Sequence, residues 1–216
     1  MYSGKVSVGG PAAVRELPTV IISKLAVGQM DNNVYLLRCR VTGAQLLIDA
    51  AAEANRILDM IGPTGVVGIV TTHRHADHWQ ALDEVQGATG ATTYAHEADV
   101  SGIDVVTAQP VVEGSRISFG DCTVSVIHIT GHTPGSAVLL FDDPEGPPHL
   151  FTGDTLFPGG VGKTSSSDDF EQLINDVENK IFAQLPNETW VYPGHGDDTV
   201  LGSERPHLGE WRVRGW

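Results

Sequence analysis

Short apolar runs dominate the first quarter of the chain. Residues 19–27, 33–40 and 44–49 are β-rich stretches separated by brief gaps, which predicts an antiparallel meander. Between 53 and 61 the period changes to that of a helix, with Ile57, Leu58 and Ile61 on one face. Gly62 and Pro63 stop it. Residues 66–71 form a β-branched run expected as a buried strand. Residues 78–85 are helix-like, ending near Gly87, and 91–94 return to strand before a loop to about Pro110. Strands are then expected at 116–119, 123–129, 136–141 and 149–152. Apolar positions 170, 173, 174, 177, 181, 182 and 185 mark an amphipathic helix ended by Pro186. A last strand spans 189–192, and loop follows from Pro193. Strands and helices intermingle in both halves, so two packed sheets covered by helices would satisfy the apolar faces.

This organisation predicts a loose N-terminal arm over 1–18, rich in Gly, Pro and small residues, and one domain over 19–216. A hydrophobic content of 41% with 19% charged residues is ordinary for a globular chain. The net charge of −14 is not, and it argues against nucleic acid or an anionic membrane surface as partner. Convergent acidic groups around divalent metals would offset part of it. Residues 1–10 carry no apolar run of signal-peptide length, and no stretch nears the roughly 20 apolar residues of a membrane span. The expected location is the cytoplasm. Cys39 and Cys122 sit in apolar strand-like text with no zinc or redox spacing, and are expected to be free thiols in the core.

The chemistry concentrates at 72–78, T-H-R-H-A-D-H. His73, His75, Asp77 and His78 are four good metal-ligand types within six positions, a density that a polar surface loop does not explain. Imidazole with carboxylate suits zinc, and also iron or manganese. Three later positions share one context, a short apolar strand followed by a glycine turn: His132 in G-H-T-P-G, Asp154 in T-G-D-T, and His195 in Y-P-G-H-G. Each strand end would present one ligand at a common rim.

Taken together, the motifs at 72–78, 131–136, 152–157 and 192–196 resemble those of the metallo-β-lactamase superfamily in order and spacing. The resemblance implies an α/β (α+β) fold, an αββα sandwich of two mixed β-sheets flanked by helices, with the site at one sheet edge. It also implies metal roles. His73, His75 and His132 would hold one divalent ion, Asp77, His78 and His195 a second, and Asp154 would bridge them. Two such ions, expected to be Zn2+ with Fe or Mn also fitting, can share a hydroxide nucleophile when about 3.5–4 Å apart. Asp77 is a further candidate as a proton acceptor.

Within that superfamily the chain looks most like glyoxalase II and its short bacterial relatives. D-N-N-V-Y-L-L at 31–37 resembles their early strand, and G-D-T-L-F followed by G-G-V-G-K, at 153–157 and 159–163, resembles their glycine-rich loop. The implied reaction is cleavage of a hydroxyacid thioester of a small thiol. Lys163 and Arg74 are candidates for binding a carboxylate of the thiol carrier, each weighed against a solvated surface charge. Trp79 stands where glycine often follows, and either narrows the pocket or packs under the helix. Glyoxalase II has a C-terminal helical region that helps hold glutathione, whereas 21 residues follow His195 here. The loop at 159–164 is not a phosphate loop, because Phe157 occupies the position of its first glycine.

The rivals are a mononuclear-iron persulfide dioxygenase of the same superfamily, which would use His73, His132 and Asp154, and a lactamase or lactonase. A nuclease is opposed by the charge. A purely structural metal domain is opposed by seven mixed ligands, since structural zinc sites are closed by four.

Overall fold

The computed structural model describes residues 2–215. In chain order the first sheet contains β1 (Ala13–Glu16), β2 (Val20–Val27), β3 (Asn32–Cys39) and β4 (Gln45–Ile48). These pair antiparallel, as the short gaps predict. Helix α1 (Ala54–Ile61) leads to β5 (Gly68–Val70), α2 (Leu82–Thr89) to β6 (Thr92–His96), and β7 (Gln109–Val111) closes the sheet. These last strands pair parallel, which needs long crossovers: α1 and α2 supply the first two, and the segment between β6 and β7, with a 3-10 turn at Val100–Gly102, supplies the third.

The second sheet begins with the antiparallel β8 (Arg116–Phe119), β9 (Cys122–Ile129), β10 (Ser136–Phe141) and β11 (His149–Gly153). A small hairpin follows, β12 (Leu156–Phe157) with β13 (Gly160–Val161). Helix α3 (Ser167–Asp176) continues in wider turns over Val177–Phe182 and delivers β14 (Trp190–Pro193) parallel to β11. β15 (Thr199–Val200) borders β14, and α4 (Leu201–Glu204) and α5 (Leu208–Arg214) end the chain.

Three apolar layers account for the arrangement. Leu37, Leu46, Phe119, Leu139 and Phe151 fill the space between the sheets. Ile57, Leu82 and Val85 bring α1 and α2 onto the outer face of the first sheet. Leu173, Ile174 and Trp211 bring α3 and α5 onto the outer face of the second. The result is an αββα sandwich of two mixed sheets. Among the described residues, no helix is long and apolar enough to cross a membrane.

Four local expectations differ from this structure. Part of the expected arm is strand β1, whose side chains alternate between half-buried and exposed and so leave no apolar run to read. The helix expected at 78–85 starts at Leu82 instead, because residues 76–78 form a tight 3-10 turn that faces Asp77 and His78 toward the other histidines. β7 lies in the expected loop, where Pro110 argues against a strand but is tolerated on the sheet's last strand. The segment after Pro193 contains β15, α4 and α5, elements too short and exposed to show periodicity.

Candidate metal centre

The seven residues picked out by sequence converge at one edge of the sandwich. Their ligand atoms form three sets, each within 4.8 Å of one another: His73, His75 and His132; His73, His78 and Asp154; and Asp77, His78 and His195. Asp154 lies between the outer two sets. Its Oδ1 is 3.4 Å from His78 Nε2, and its Oδ2 is 3.7 Å from His132 Nε2 and 3.5 Å from His195 Nε2. Asp77 Oδ2 is 3.4 Å from both His78 Nε2 and His195 Nε2.

Backbone geometry makes this convergence possible. Thr72 follows β5, and its carbonyl accepts the Ala137 N–H at 2.8 Å, tying the two sheets together beside the site. Gly153 adopts φ 48° against the Thr72 side chain, which turns Asp154 out of β11. Gly194 packs directly on the Asp154 carboxylate and the His78 ring, where a Cβ would overlap Asp154 Oδ1.

Partners behind the histidines orient the rings. Thr72 Oγ1 donates to Asp49 Oδ2 and therefore accepts the Nδ1–H of His73 at 3.1 Å. His78 Nδ1 donates to Asp49 Oδ2 at 2.8 Å, His132 Nδ1 to the Lys163 carbonyl at 2.6 Å, and His195 Nδ1 to the Met30 carbonyl at 2.8 Å. With those protons directed outward, four Nε2 lone pairs point into the cluster. His73 Nε2 is 3.0 Å from His75 Nδ1 and 3.3 Å from His132 Nε2, and His78 Nε2 is 3.2 Å from His195 Nε2. Lone pairs facing one another repel, and buried Asp154 Oδ1 has no hydrogen-bond donor. Both features fit cations among these atoms.

The electrostatics agree. Burial, then the charge of His78, hold the His73 imidazole well below its ordinary value. Burial opposes charge on His78, but Asp49 and Asp154 outweigh it and raise the imidazole to about 10. His195 is raised to about 10 against burial by the carboxylates of Asp154 and Asp77. A hydrogen bond from His195 holds Asp77 far below the usual carboxylate range. Either protons or metal ions must offset these carboxylates, so the two compete.

Beside His132 and Asp154 opens a cavity of about 350 Å3 lined by Phe157, the glycine turn at 159–162, Lys163 and Arg214. Lys163 is exposed at this rim. Arg74 lies elsewhere, its stem packed over Gly102. Trp79 packs half-buried against the α1–α2 layer, and its indole donates to the Arg74 carbonyl at 2.9 Å.

Sequence reasoning missed three participants. Asp49 binds both Thr72 and His78; it ends an apolar strand as Asp154 does, and that context was its available signal. Asn32 Nδ2 donates to Asp77 Oδ2 at 2.8 Å. Arg214 reaches the cavity from α5 and donates to the Gly159 carbonyl at 3.1 Å.

Comparison with known proteins adds to this geometry. A family model for the metallo-beta-lactamase superfamily matches residues 27–195. A hydroxyacylglutathione hydrolase from Rhodospirillum rubrum is 35% identical over 186 residues, covering 83% of this chain and 67% of that protein. Among solved structures, ETHE1 from Myxococcus xanthus superposes with TM-score 0.76 at 27% identity, over 89% of this chain and 84% of that one. TTHA1623, in a di-iron-bound form, superposes with TM-score 0.70 at 30% identity, over 84% and 96%.

Proposed function

The chain belongs to the metallo-β-lactamase superfamily, and on that premise we propose that this metallo-hydrolase cleaves thioesters of a small, carboxylate-bearing thiol. His73, His75 and His132 would hold one divalent ion and Asp77, His78 and His195 the other, with Asp154 between them. Zinc suits this imidazole and carboxylate set. A bound pair of ions supplies the positive charge that acidifies water and polarises an acyl carbonyl.

The observation that carries the substrate reading is the cavity beside His132 and Asp154, where Lys163 and Arg214 stand across the glycine turn. Two exposed cations on an otherwise acidic chain, next to the reacting centre, suit a carboxylate at the far end of the substrate. Arg214 can hold it bidentately and Lys163 as a point charge. Asp77, positioned by the Asn32 amide, is the carboxylate placed to accept a proton at this site. The resemblance of the loop at 153–163 to that of glyoxalase II, and the 35% identity to a hydroxyacylglutathione hydrolase, support a thioester rather than a lactam.

Elemental analysis of the purified protein, with S-lactoyl-thiol hydrolysis and persulfide-dependent oxygen uptake measured on one sample, tests this reading. Two zinc ions per chain with thioester cleavage are expected. A single iron with oxygen uptake on a thiol persulfide would overturn it.

A further inference from the structure

The end of the sandwich remote from the histidines holds a second reactive group. β3 begins at Asn32 beside the metal centre and ends at Cys39, seven residues later in the strand. At about 3.3 Å per residue, Cys39 lies roughly 23 Å from that centre. Cys122 opens β9 in the opposite sheet.

Both cysteines are free and buried, and both belong to the layer between the sheets. They line one cavity of about 290 Å3 together with Thr19, Arg116 and Phe141. The Thr19 carbonyl links their surroundings, accepting the Arg40 N–H at 3.0 Å and the Cys122 thiol at 3.6 Å. The turn after Cys39 and the turn before Cys122 interlock: Gly120, at φ 64°, abuts Thr42 so closely that a Cβ would overlap the hydroxyl.

Both thiols open onto this one cavity, from opposite sheets, but they differ in character. Burial pushes the Cys39 thiol up, yet the Thr42 hydroxyl and the N–H groups of Thr42, Asp121 and Val41 outweigh it and bring it to about 6. Burial and the adjacent Cys39 sulfur push Cys122 up to about 12. Two free thiols that reach one cavity from opposite sheets are placed to be joined across it, and the thiol brought nearer neutrality is the one that ionises and reacts.

We propose that Cys39 and Cys122 are a redox pair, a peroxide-reactive thiolate and its resolving thiol, which closes to a disulfide joining the two sheets. The Cys39 thiolate attacks one oxygen of hydrogen peroxide. The O–O bond breaks, hydroxide leaves and takes up the proton that Cys39 had released, and Cys39 becomes a sulfenic acid. The Cys122 sulfur then attacks the Cys39 sulfur. The S–O bond breaks, and its hydroxyl departs as water with the Cys122 proton. Two thiols thereby lose two electrons and two protons, and one peroxide becomes two waters.

The test treats the reduced full chain with hydrogen peroxide, then counts free thiols after denaturation and maps linked peptides by mass. Both thiols should disappear together, the chain mass should fall by two hydrogens, and one peptide pair should join Cys39 to Cys122. In Cys122→Ser, Cys39 should stop at the sulfenic acid and be trapped by dimedone. In Cys39→Ser, Cys122 should remain a thiol. Metal content should be unchanged in both variants. Survival of both thiols, or a disulfide between chains rather than within one, would overturn the proposal.

Discussion

The backbone carbonyl of Lys163 accepts the Nδ1–H of His132 at 2.6 Å, while the ammonium of the same residue stands at the rim of the adjoining cavity. Main chain and side chain thus have separable parts. Lys163→Ala keeps the carbonyl, so metal content should not change. KM for carboxylate-bearing thioesters should rise roughly tenfold with kcat nearly constant, as expected when uniform binding is lost. Steady-state kinetics on charged and neutral thioesters checks this, and an unchanged KM would make Lys163 a solvated surface charge.

Asp49 accepts from His78 and from both the backbone and hydroxyl of Thr72. In Asp49→Asn one oxygen becomes an amide donor. It would then meet either the Thr72 backbone N–H, or the Thr72 hydroxyl together with the Nδ1–H of His78, and the Thr72–Asp49–His78 arrangement that orients the rings would be disturbed. Metal affinity should fall about 10- to 100-fold, measured by competition with a chromophoric chelator.

Gly194 leaves no room for a side chain against Asp154 and His78. Gly194→Ala should therefore lose metal and hydrolysis as completely as Asp154→Ala, with the far-ultraviolet circular dichroism of the parent retained. Full metal content in Gly194→Ala would show that the loop carrying His195 can retreat.

Lys24 is fully buried, with Nζ donating to the Gly4 and Gly196 carbonyls and to Asp198 Oδ1 at 2.6 Å. It fastens the N-terminal segment to the loop that follows His195. Lys24→Met removes the cation paired with the buried Asp198 carboxylate, which keeps the Tyr2 and Trp190 donors on Oδ2. Loss of the ion pair costs about 3 kcal/mol of unfolding free energy. Urea denaturation reads the loss, and Lys24→Met with Asp198→Asn should recover part of it.

His149 is buried, and burial, then the charge of Arg15, depress its imidazole to about 4 from an ordinary 6.5. The native state therefore favours the neutral ring. Its stabilisation is complete above the unfolded value of 6.5 and is lost as pH falls through 4. The amount is on the order of 3 kcal/mol. His149→Gln should flatten the dependence of stability on pH across that window, followed by chemical denaturation at several pH values.

Much of this molecule is legible without coordinates, for local reasons. The strand periods at 20–27 and 122–129 and the apolar stripe of α3 follow from side chains that repeat every two or 3.6 positions. His73, His75, Asp77 and His78 crowd into six positions, so their common purpose shows in the string itself. His132, Asp154 and His195 are separate, but each ends an apolar strand at a glycine turn, and the repetition links them.

Tertiary structure alone decided the rest, because a contact across many residues leaves no periodic trace. Asp49 precedes His78 by 29 positions, and Lys24 precedes Asp198 by 174, yet each pair is in direct contact. Arg214 reads as one charge in a tail until α5 packs against the second sheet and carries it to the glycine turn. Arg74 shows the converse: it sits between two clustered histidines in sequence, but its stem lies over Gly102. The sequence by itself determined which atoms are able to bind metal, since that is a property of side-chain type. Which charges face the substrate depends on how distant elements pack, and only the assembled sheets and helices decided it.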